Sequence, residues 1–213
     1  MLVTSSPEQV LITLREPASA AAEAYRTLRT NILFSSLDKP IHTLLLTAAE
    51  PTPEKSLTAA NLAVTMAQAE QRVLLVDCDL RQPSLHTLFG LSNEQGLTSS
   101  ILDQDAPLAI QSTDVPGLSL LPSGPLPPRP ADLLGSRRME GLLARLRQTV
   151  DIVIFDTPPV QTFTDALVLS TRVDGVLLVV QAGRSRRDRV REARQKLEKV
   201  KANVLGVVLS GVR

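Results

Sequence analysis

A lysine and a serine stand side by side where an apolar segment gives way to a helical one. Residues 43–68 read TLLLTAAEPTPEKSLTAANLAVTMAQ, which has the order of a phosphate-binding loop: strand, short loop, Lys55-Ser56 and helix. A helix N-terminus presents free N–H groups and a partial positive charge. Lys55 would therefore reach phosphate oxygens, and the Ser56 hydroxyl would bind Mg²⁺. A solvated lysine beside a capping serine is the alternative that these residues leave open.

Three carboxylates follow two other apolar segments. Asp77 and Asp79 come after LLV, and Asp156 ends DIVIFD. If these segments are parallel strands, their carboxyl ends share one rim with Lys55 and Ser56. Mg²⁺ prefers oxygen ligands, and Asp156 is placed to hold the ion or its waters. Of Asp77 and Asp79, one could hold the metal while the other accepts a proton from an attacking hydroxyl. A polar loop that caps a strand is the simpler alternative.

The glycines that such a loop normally carries are absent. A phosphate loop reads Gly-x-Gly-Lys-Ser here, whereas Thr52, Pro53 and Glu54 precede Lys55 in this chain. A non-glycine residue held in a left-handed conformation costs about 1–2 kcal/mol, and Pro53 removes one N–H group. A Glu54 carboxylate ~4 Å from a phosphate charge would cost about 4 kcal/mol at an effective dielectric constant of 20. Since a micromolar site has only about 8 kcal/mol in total, we expect weak nucleotide binding or none.

Apolar segments alternate with helical ones along most of the chain. The apolar segments are continuous, which is typical of parallel strands buried on both faces. Hydrophobic residues make up 43% of the 213 residues and aromatic ones only 2%, so the core must be aliphatic. The pattern predicts one three-layer α/β domain of the P-loop type over residues 20–213, with a mostly parallel sheet flanked by helices. Residues 1–19 are predicted to be a lead-in segment.

The predicted elements follow from hydrophobic periodicity and from proline and glycine positions. The sequence PLPPRP at 125–130 is predicted to be an extended connection. The predicted helices cover residues 20–36, 56–70, 131–148, 165–173 and 186–201, and the predicted strands cover residues 42–48, 72–79, 118–124, 151–156, 175–181 and 203–210.

The composition bears on where the protein works. A single cysteine, Cys78, cannot form an internal disulfide, which favours a reducing cytoplasm. The first ten residues lack the charged and apolar regions of a signal peptide, and no apolar run is long enough to span a bilayer. The formal net charge of +1 neither favours nor excludes nucleic acid, and no nucleic acid partner is predicted. We expect a cytoplasmic domain.

Together, these motifs resemble the bacterial tyrosine kinases of capsule and exopolysaccharide synthesis, the BY-kinases, which form a deviant-Walker branch of the P-loop proteins beside MinD and ParA. The segment LLLTAAEPTPEKSLTAANLA resembles the family's Walker A, VLLVDCDLRQPSLHTLFGL its Walker A′ and DIVIFDTPPV its Walker B. EAYRTLRTNILFSS resembles the family's oligomerisation helix, which MinD and ParA lack. The resemblance extends from about Glu23 to Val212.

The resemblance implies a role for each residue of the predicted site. Lys55 and Ser56 would contact the phosphates of ATP and its Mg²⁺. Asp77 and Asp156 would assist the metal, and Asp79 would be the base for a tyrosine hydroxyl.

The resemblance also bears on the rest of the nucleotide site and on assembly. Glu54 would lie beside the phosphates, and Ser210 stands where the family usually has an asparagine that helps to hold adenine. One segment would pack against a neighbouring subunit in a weak homo-oligomer. Its predicted interface residues are Glu23, Tyr25, Arg26 and Arg29.

These expectations lead to one main hypothesis and two alternatives. The chain would be a degenerate relative of the tyrosine kinases, a binding and assembly partner of a membrane-embedded chain-length regulator at the inner face of the membrane. That regulator would be a separate polypeptide or a removed part of the same one. The first alternative is an active autokinase that binds ATP despite the missing glycines, and the weaker one is a MinD-like switch ATPase.

A basic segment near the C-terminus has no part in this site. Residues 184–201 hold nine lysines or arginines and three acidic residues. A buried stripe predicted at helical spacing leaves the charges on the outer face. A solvated face is the usual explanation, and attraction to an anionic membrane, about 1 kcal/mol per well-placed basic residue, is the alternative hypothesis. The stripe consists of Val190, Ala193, Leu197 and Val200.

Overall fold

A seven-stranded sheet forms the centre of the computed structural model, which describes residues 11–35 and 40–211. The strands are β1 (Thr43–Ala48), β2 (Val73–Asp77), β3 (Gln111–Ser112), β4 (Leu118–Leu121), β5 (Ile152–Asp156), β6 (Gly175–Gln181) and β7 (Val204–Ser210). They lie in the order β3-β4-β2-β5-β1-β6-β7. All neighbouring pairs are parallel except the short β3, which runs antiparallel to β4. The predicted α/β fold with a mostly parallel sheet is confirmed.

The central strands are buried because their side chains are apolar on both faces. Every residue of β1, β2 and β5 is buried. Successive side chains point to opposite faces, so Leu45 and Phe155 join one apolar cluster while Leu44 and Leu46 join the other. Burying one such side chain contributes about 1.5–3 kcal/mol, and the sheet is therefore a stable support for the loops at its rim.

Helices cover both faces of the sheet. Helices α2 to α4, with Leu11 just before α1, contribute to the cluster around Leu44, and α5 to α9 contribute to the cluster around Leu45. No helix in the described residues is both long and apolar enough to cross a bilayer. The helices are α1 (Ile12–Arg15), α2 (Ala20–Phe34), α3 (Glu54–Ala67), α4 (Leu85–Phe89), α5 (Leu97–Leu102), α6 (Pro130–Leu134), α7 (Arg137–Thr149), α8 (Asp165–Ser170) and α9 (Arg187–Lys199).

Part of the predicted lead-in segment packs on the domain. Residues 1–10 lie outside the described residues, but α1 follows them, and its Thr13 is buried. The Thr13 backbone N–H and hydroxyl both donate to Asn61 Oδ1 on α3, at 3.1 and 2.8 Å. This helix was not predicted because a four-residue turn is too short to show periodicity.

Helix boundaries differ from prediction at two places. The helix predicted over 131–148 is two helices, because the Ser136 hydroxyl accepts a hydrogen bond from the Met139 N–H and starts α7 afresh. Helix α3 begins at Glu54 rather than at Ser56, with Pro53 before its first residue. Short elements between 83 and 130, namely α4, α5 and β3, were not predicted.

Candidate phosphate and metal site

Lys55 lies among three carboxylates at the carboxyl end of the sheet. Its Nζ is 2.5 Å from Asp156 Oδ1 and 3.6 Å from Asp79 Oδ2. The Ser56 hydroxyl donates to the other oxygen of Asp156, at 2.6 Å. The Lys55 side chain is only 3% exposed, so it is engaged inside the protein and is not the solvated lysine of the simpler alternative.

The parallel sheet brings these residues together. Strand β5 lies between β1 and β2, with Asp156 level with Leu46 on one side and with Asp77 on the other. Helix α3 follows β1 after a short loop and places Lys55 above the end of β5. The expectation that separate segments deliver a lysine, a serine and carboxylates to one rim therefore agrees with the observed register.

Asp77 is a buried carboxylate at the base of the rim. It is fully buried, and one of its oxygens accepts the backbone N–H groups of Ser84 and Leu85, each at 3.0 Å. Burial, together with the nearby charge of Asp156, raises the pKa of Asp77 to about 7. Asp77 does not line the cavity beside Lys55 in the described structure. Its position suits a residue that shapes the loop after β2 and adds negative charge behind a metal.

Asp79 is the carboxylate that faces the cavity. It lines a space of about 340 Å³ together with Lys55 and Ser56. Burial raises the pKa of Asp79, while the charge of Lys55 opposes that rise. A carboxylate with a raised pKa that faces an open cavity is suited to accept a proton from a bound hydroxyl. The cavity is lined by Pro51, Thr52, Pro53, Lys55, Ser56, Leu57, Asp79, Gln82, Ser84, Leu88 and Pro159.

The charges of the rim do not balance. Burial alone would lower the pKa of Lys55, but Asp156 and Asp79 outweigh it and raise that pKa above its usual value. One lysine thus faces Asp77, Asp79 and Asp156. Within the described residues, no three His, Cys, Asp or Glu side chains are arranged as a ready metal cluster. The donors are nevertheless all oxygen and carry excess negative charge, so Ser56 and Asp156 fit Mg²⁺, a hard cation that Lys55 would make room for.

The loop before Lys55 is not strained. Among the described non-glycine residues, only Glu70 and Lys201 have positive φ. Pro53 has φ −67° and ψ −22°, an ordinary right-handed conformation. The expected cost of a non-glycine residue held in a left-handed conformation therefore does not arise in this loop. With proline in place, the loop leads directly into the first turn of α3 instead of winding as a glycine-rich cradle would.

The Thr52 side chain forms hydrogen bonds with groups of the protein that could otherwise face a ligand. Its hydroxyl accepts the Glu54 N–H at 3.2 Å and donates to Gln181 Oε1, at the end of β6, at 3.0 Å. Pro53 has no N–H to offer. Two of the donors that could face a phosphate are thus missing or engaged, although the N–H groups of Lys55 and Ser56 lie in the first turn of α3 and need no helical partner.

Glu54 was predicted to lie beside the phosphates, but its side chain does not line the cavity beside Lys55. It lines a second cavity of about 410 Å³, and it is not among the described residues that line the first. The charge of Glu54 helps to raise the pKa of Tyr25 across this second cavity, after the larger effect of burial. The predicted repulsion between Glu54 and a phosphate therefore does not follow from this structure. Ser210 lines the same second cavity, and its hydroxyl donates to the Val180 carbonyl at 3.4 Å.

The predicted interface residues on α2 divide into two groups. Tyr25 and Arg29 are engaged within the domain: Tyr25 lines the second cavity, and Arg29 donates to the Thr65 carbonyl at 2.8 Å. Glu23 and Arg26 form an exposed ion pair of 2.7 Å, and Arg26 also bonds the Pro17 carbonyl. Glu23 is exposed, whereas Tyr25, Arg26 and Arg29 are each half-buried.

One cluster at the rim was not predicted. Arg81 pairs with the buried Asp165 at 3.1 Å, and its guanidinium lies 4.0 Å from the centre of the Phe163 ring. These contacts tie the loop that carries Asp79 to the start of α8. The sequence signal for Arg81 was its place after Asp79, but an aspartate at a helix start looks like an ordinary cap, so Asp165 gave no signal.

Comparison with known proteins places this geometry in a family. The AAA domain family model matches residues 53–205. The tyrosine-protein kinase YwqD of Bacillus subtilis is 41% identical over 97% of this chain and 88% of its own length. The tyrosine-protein kinase Etk of Escherichia coli K12 is 36% identical over 92% of this chain, which corresponds to only 27% of Etk.

Solved structures agree with the sequence comparison. The kinase domain of the E. coli tyrosine kinase Etk has a TM-score of 0.89 and 34% identity, over 100% of this chain and 84% of that one. The chimerical protein CapA2B2 also has a TM-score of 0.89, with 39% identity over 93% of this chain and 88% of that one. MinD of Pyrococcus horikoshii, solved with Mg-ADP, has a TM-score of 0.65 over 79% of this chain and 69% of its own, and at 22% identity it shares the fold.

Proposed function

This chain belongs to the bacterial tyrosine-protein kinases, and we propose that it is a regulatory and assembly module with weak nucleotide affinity rather than an efficient kinase. The observation that carries the proposal is the hydrogen bonding of the loop at residues 50–56. Pro53 lacks an N–H, and the Glu54 N–H is bonded to the Thr52 hydroxyl. The phosphates would meet fewer backbone donors than a glycine-rich loop supplies.

The expected loss of affinity follows from these two donors. A hydrogen bond to a charged group contributes about 1.5–3 kcal/mol, so losing two costs about 3–6 kcal/mol. A micromolar site has about 8 kcal/mol, so about 2–5 kcal/mol would remain, which corresponds to a dissociation constant of about 0.2 to 30 mM. Weak nucleotide binding is therefore expected even without backbone strain in the loop or repulsion from Glu54.

The remaining groups define what the module would do with a nucleotide when one is bound. Lys55 would move from Asp156 to the phosphates, and Ser56 and Asp156 would then hold Mg²⁺, which supplies charge stabilisation at the phosphates. Asp79 would accept the proton of a hydroxyl in the cavity. Arg81, through Asp165, would keep the Asp79 loop in place.

The partner and the pathway rest on the relatives. We place the chain in exopolysaccharide or capsule synthesis, at the inner face of the cell membrane. Its partner would be a membrane-embedded chain-length regulator, either a separate protein or further sequence of the kind that makes Etk longer than this chain. The exposed Glu23–Arg26 pair would contribute to a weak homo-oligomer.

An active kinase is the second candidate, and one observation favours it. Lys55, Ser56, Asp79 and Asp156 converge as phosphoryl transfer requires, and Glu54 lies in the other cavity. Tyr25 is the only tyrosine of the chain, and burial raises its pKa. An active enzyme would therefore phosphorylate a tyrosine of another protein more readily than its own.

Calorimetric titration with ATP and Mg²⁺ tests the proposal. We expect a dissociation constant of about 0.1 mM or weaker. Low-micromolar binding, together with incorporation of labelled phosphate into a tyrosine-containing polymer, would establish the active kinase instead. Asp79→Asn is the control for the transfer step, and Tyr25→Phe separates labelling of this chain from labelling of the added substrate.

A further inference from the structure

Charge is distributed very unevenly over the chain. Residues 184–201, which include α9, hold nine of the 23 lysines and arginines but only three of the 22 acidic residues. This segment therefore has a formal charge of +6, while the rest of the chain has −5. None of these residues lines the cavity of the tyrosine kinase site, although the segment begins after β6 at the same, carboxyl end of the sheet.

The basic side chains of α9 have two different surroundings. Ala193 and Leu197 are buried against the sheet. Gln161 donates to the Arg189 carbonyl and to Glu192, which places that side of α9 toward α8. Helical spacing puts Arg187, Arg191 and Arg194 in one row on the opposite side of the helix. Glu198 lies on the same side and pairs with Arg194 at 2.7 Å, so the row has three basic residues and one acidic one.

That opposite side faces the open edge of the sheet. Strand β7 is the last strand and pairs only with β6 among the described strands. Val208 packs into the cluster on the α3 face, so its neighbours Val207 and Leu209 point to the α9 face. They are 54% and 58% exposed, unusually high for aliphatic residues of a strand in this sheet.

We propose that the row Arg187–Arg191–Arg194 and the neighbouring Val207 and Leu209 form a surface that binds anionic phospholipid bilayers directly. Basic residues beside exposed aliphatic ones suit a membrane surface, because the charges attract anionic headgroups while the apolar side chains enter the interface. A folded acidic protein would satisfy the charges but would not by itself account for the exposed apolar pair. No residue of this surface lines the cavity beside Lys55, and only Leu209 borders the second cavity, so the inference does not depend on the function proposed above.

Vesicle sedimentation with the full chain tests this inference. We expect binding to vesicles of phosphatidylcholine mixed with phosphatidylglycerol, little binding to phosphatidylcholine alone, and release at high salt, where charges are screened. The triple variant Arg187→Gln, Arg191→Gln and Arg194→Gln should lose at least about tenfold in binding, since each well-placed basic residue contributes roughly fivefold. Val207→Ser with Leu209→Ser should lose about threefold or more.

A matched variant separates the row from net charge. Arg189→Gln, Lys196→Gln and Lys199→Gln remove the same three charges from the other parts of the outer face, and should weaken binding much less. Equal losses in the two triple variants would overturn the proposal, as would the absence of binding to anionic vesicles at low salt. Binding that ignores the Val207 and Leu209 changes would also overturn it and would point to an acidic protein partner. Thermal melting confirms that each variant is folded, and ATP titration reports separately on the nucleotide site.

Discussion

The loop at residues 50–56 and the rim that carries Asp77, Asp79 and Asp156 both adjoin Lys55, yet their polar groups are satisfied to different degrees. In the loop, the Thr52 hydroxyl satisfies the Glu54 N–H and bonds Gln181. At the rim, three carboxylates share one lysine. The Thr52 hydroxyl and the Glu54 N–H of the loop thus have hydrogen-bond partners within the protein, whereas the rim carries negative charge that a bound cation can still balance.

The difference lies in what each region still needs. The loop has no strained backbone, and the Glu54 N–H is bonded within it, so it is stable without a ligand. The rim keeps a costly arrangement, because buried carboxylates that are short of counter-charge destabilise a fold. Four predictions follow, ordered from the largest expected effect to the smallest.

Removing the lysine of the rim should have the largest effect. Lys55→Ala would leave the buried Asp156 and Asp79 without their cation, and breaking a buried pair in this way costs about 3–5 kcal/mol. Urea unfolding measures the loss, and added Mg²⁺ should restore part of it. The matched control is Arg72→Ala, which breaks an exposed pair with Asp151 and should cost at most about 1 kcal/mol. Similar losses in both variants would show that the rim is not short of positive charge.

Stability should depend on pH through Asp77. Its pKa is about 7 in the folded protein and about 4 in the unfolded chain, so the native state binds the extra proton between these values. The free energy of unfolding should therefore fall as pH rises through this window, by about 1 kcal/mol per pH unit, and then level off.

Denaturant titrations in the presence of a chelator measure that slope. Asp77→Asn should flatten it, because the amide cannot titrate, while the raised pKa of Asp79 leaves a smaller slope of the same sign. Stability that is constant or that rises across the window would contradict the assignment.

Changes in the loop should act through its donors and not through the charge of Glu54. Thr52→Gly frees the Glu54 N–H and Pro53→Ala restores one, so the double variant should bind ATP–Mg²⁺ at least about tenfold more tightly, or about 1.4 kcal/mol. Glu54→Gln should change affinity by less than about threefold, because the side chain lines the second cavity. Lys55→Ala in the double variant should abolish the gain. A larger gain from Glu54→Gln than from the double variant would place Glu54 beside the phosphates after all.

The arginines of α2 should show the smallest effects. Arg29 bonds a carbonyl of its own domain, so Arg29→Ala should cost about 1 kcal/mol of stability, whereas Arg26→Ala, which breaks an exposed pair, should cost about 0.5 kcal/mol. Light scattering of concentrated protein should show that Arg26→Ala shifts any oligomer toward monomer more than Arg29→Ala does. An oligomer unaffected by either change would remove α2 from the interface.

The sequence by itself determined the sheet and the convergence of the rim. Continuous apolar runs predict buried parallel strands, and the carboxyl ends of parallel strands share one edge. Lys55, Ser56, Asp79 and Asp156 were therefore predicted together, although they are far apart along the chain. These predictions depend on local patterns whose consequence is the same in any sheet of this kind.

Only the tertiary structure decided where the side chains around the rim point. Glu54 is next to Lys55 in sequence, but successive residues in the first turn of α3 point in different directions. Glu54 therefore lines the second cavity, between α2 and α3, and not the cavity beside Lys55. Arg81 finds Asp165 84 residues away, and Val207 and Leu209 are exposed because β7 lies at the edge of the sheet. Such facts depend on contacts between distant elements, which local periodicity does not encode.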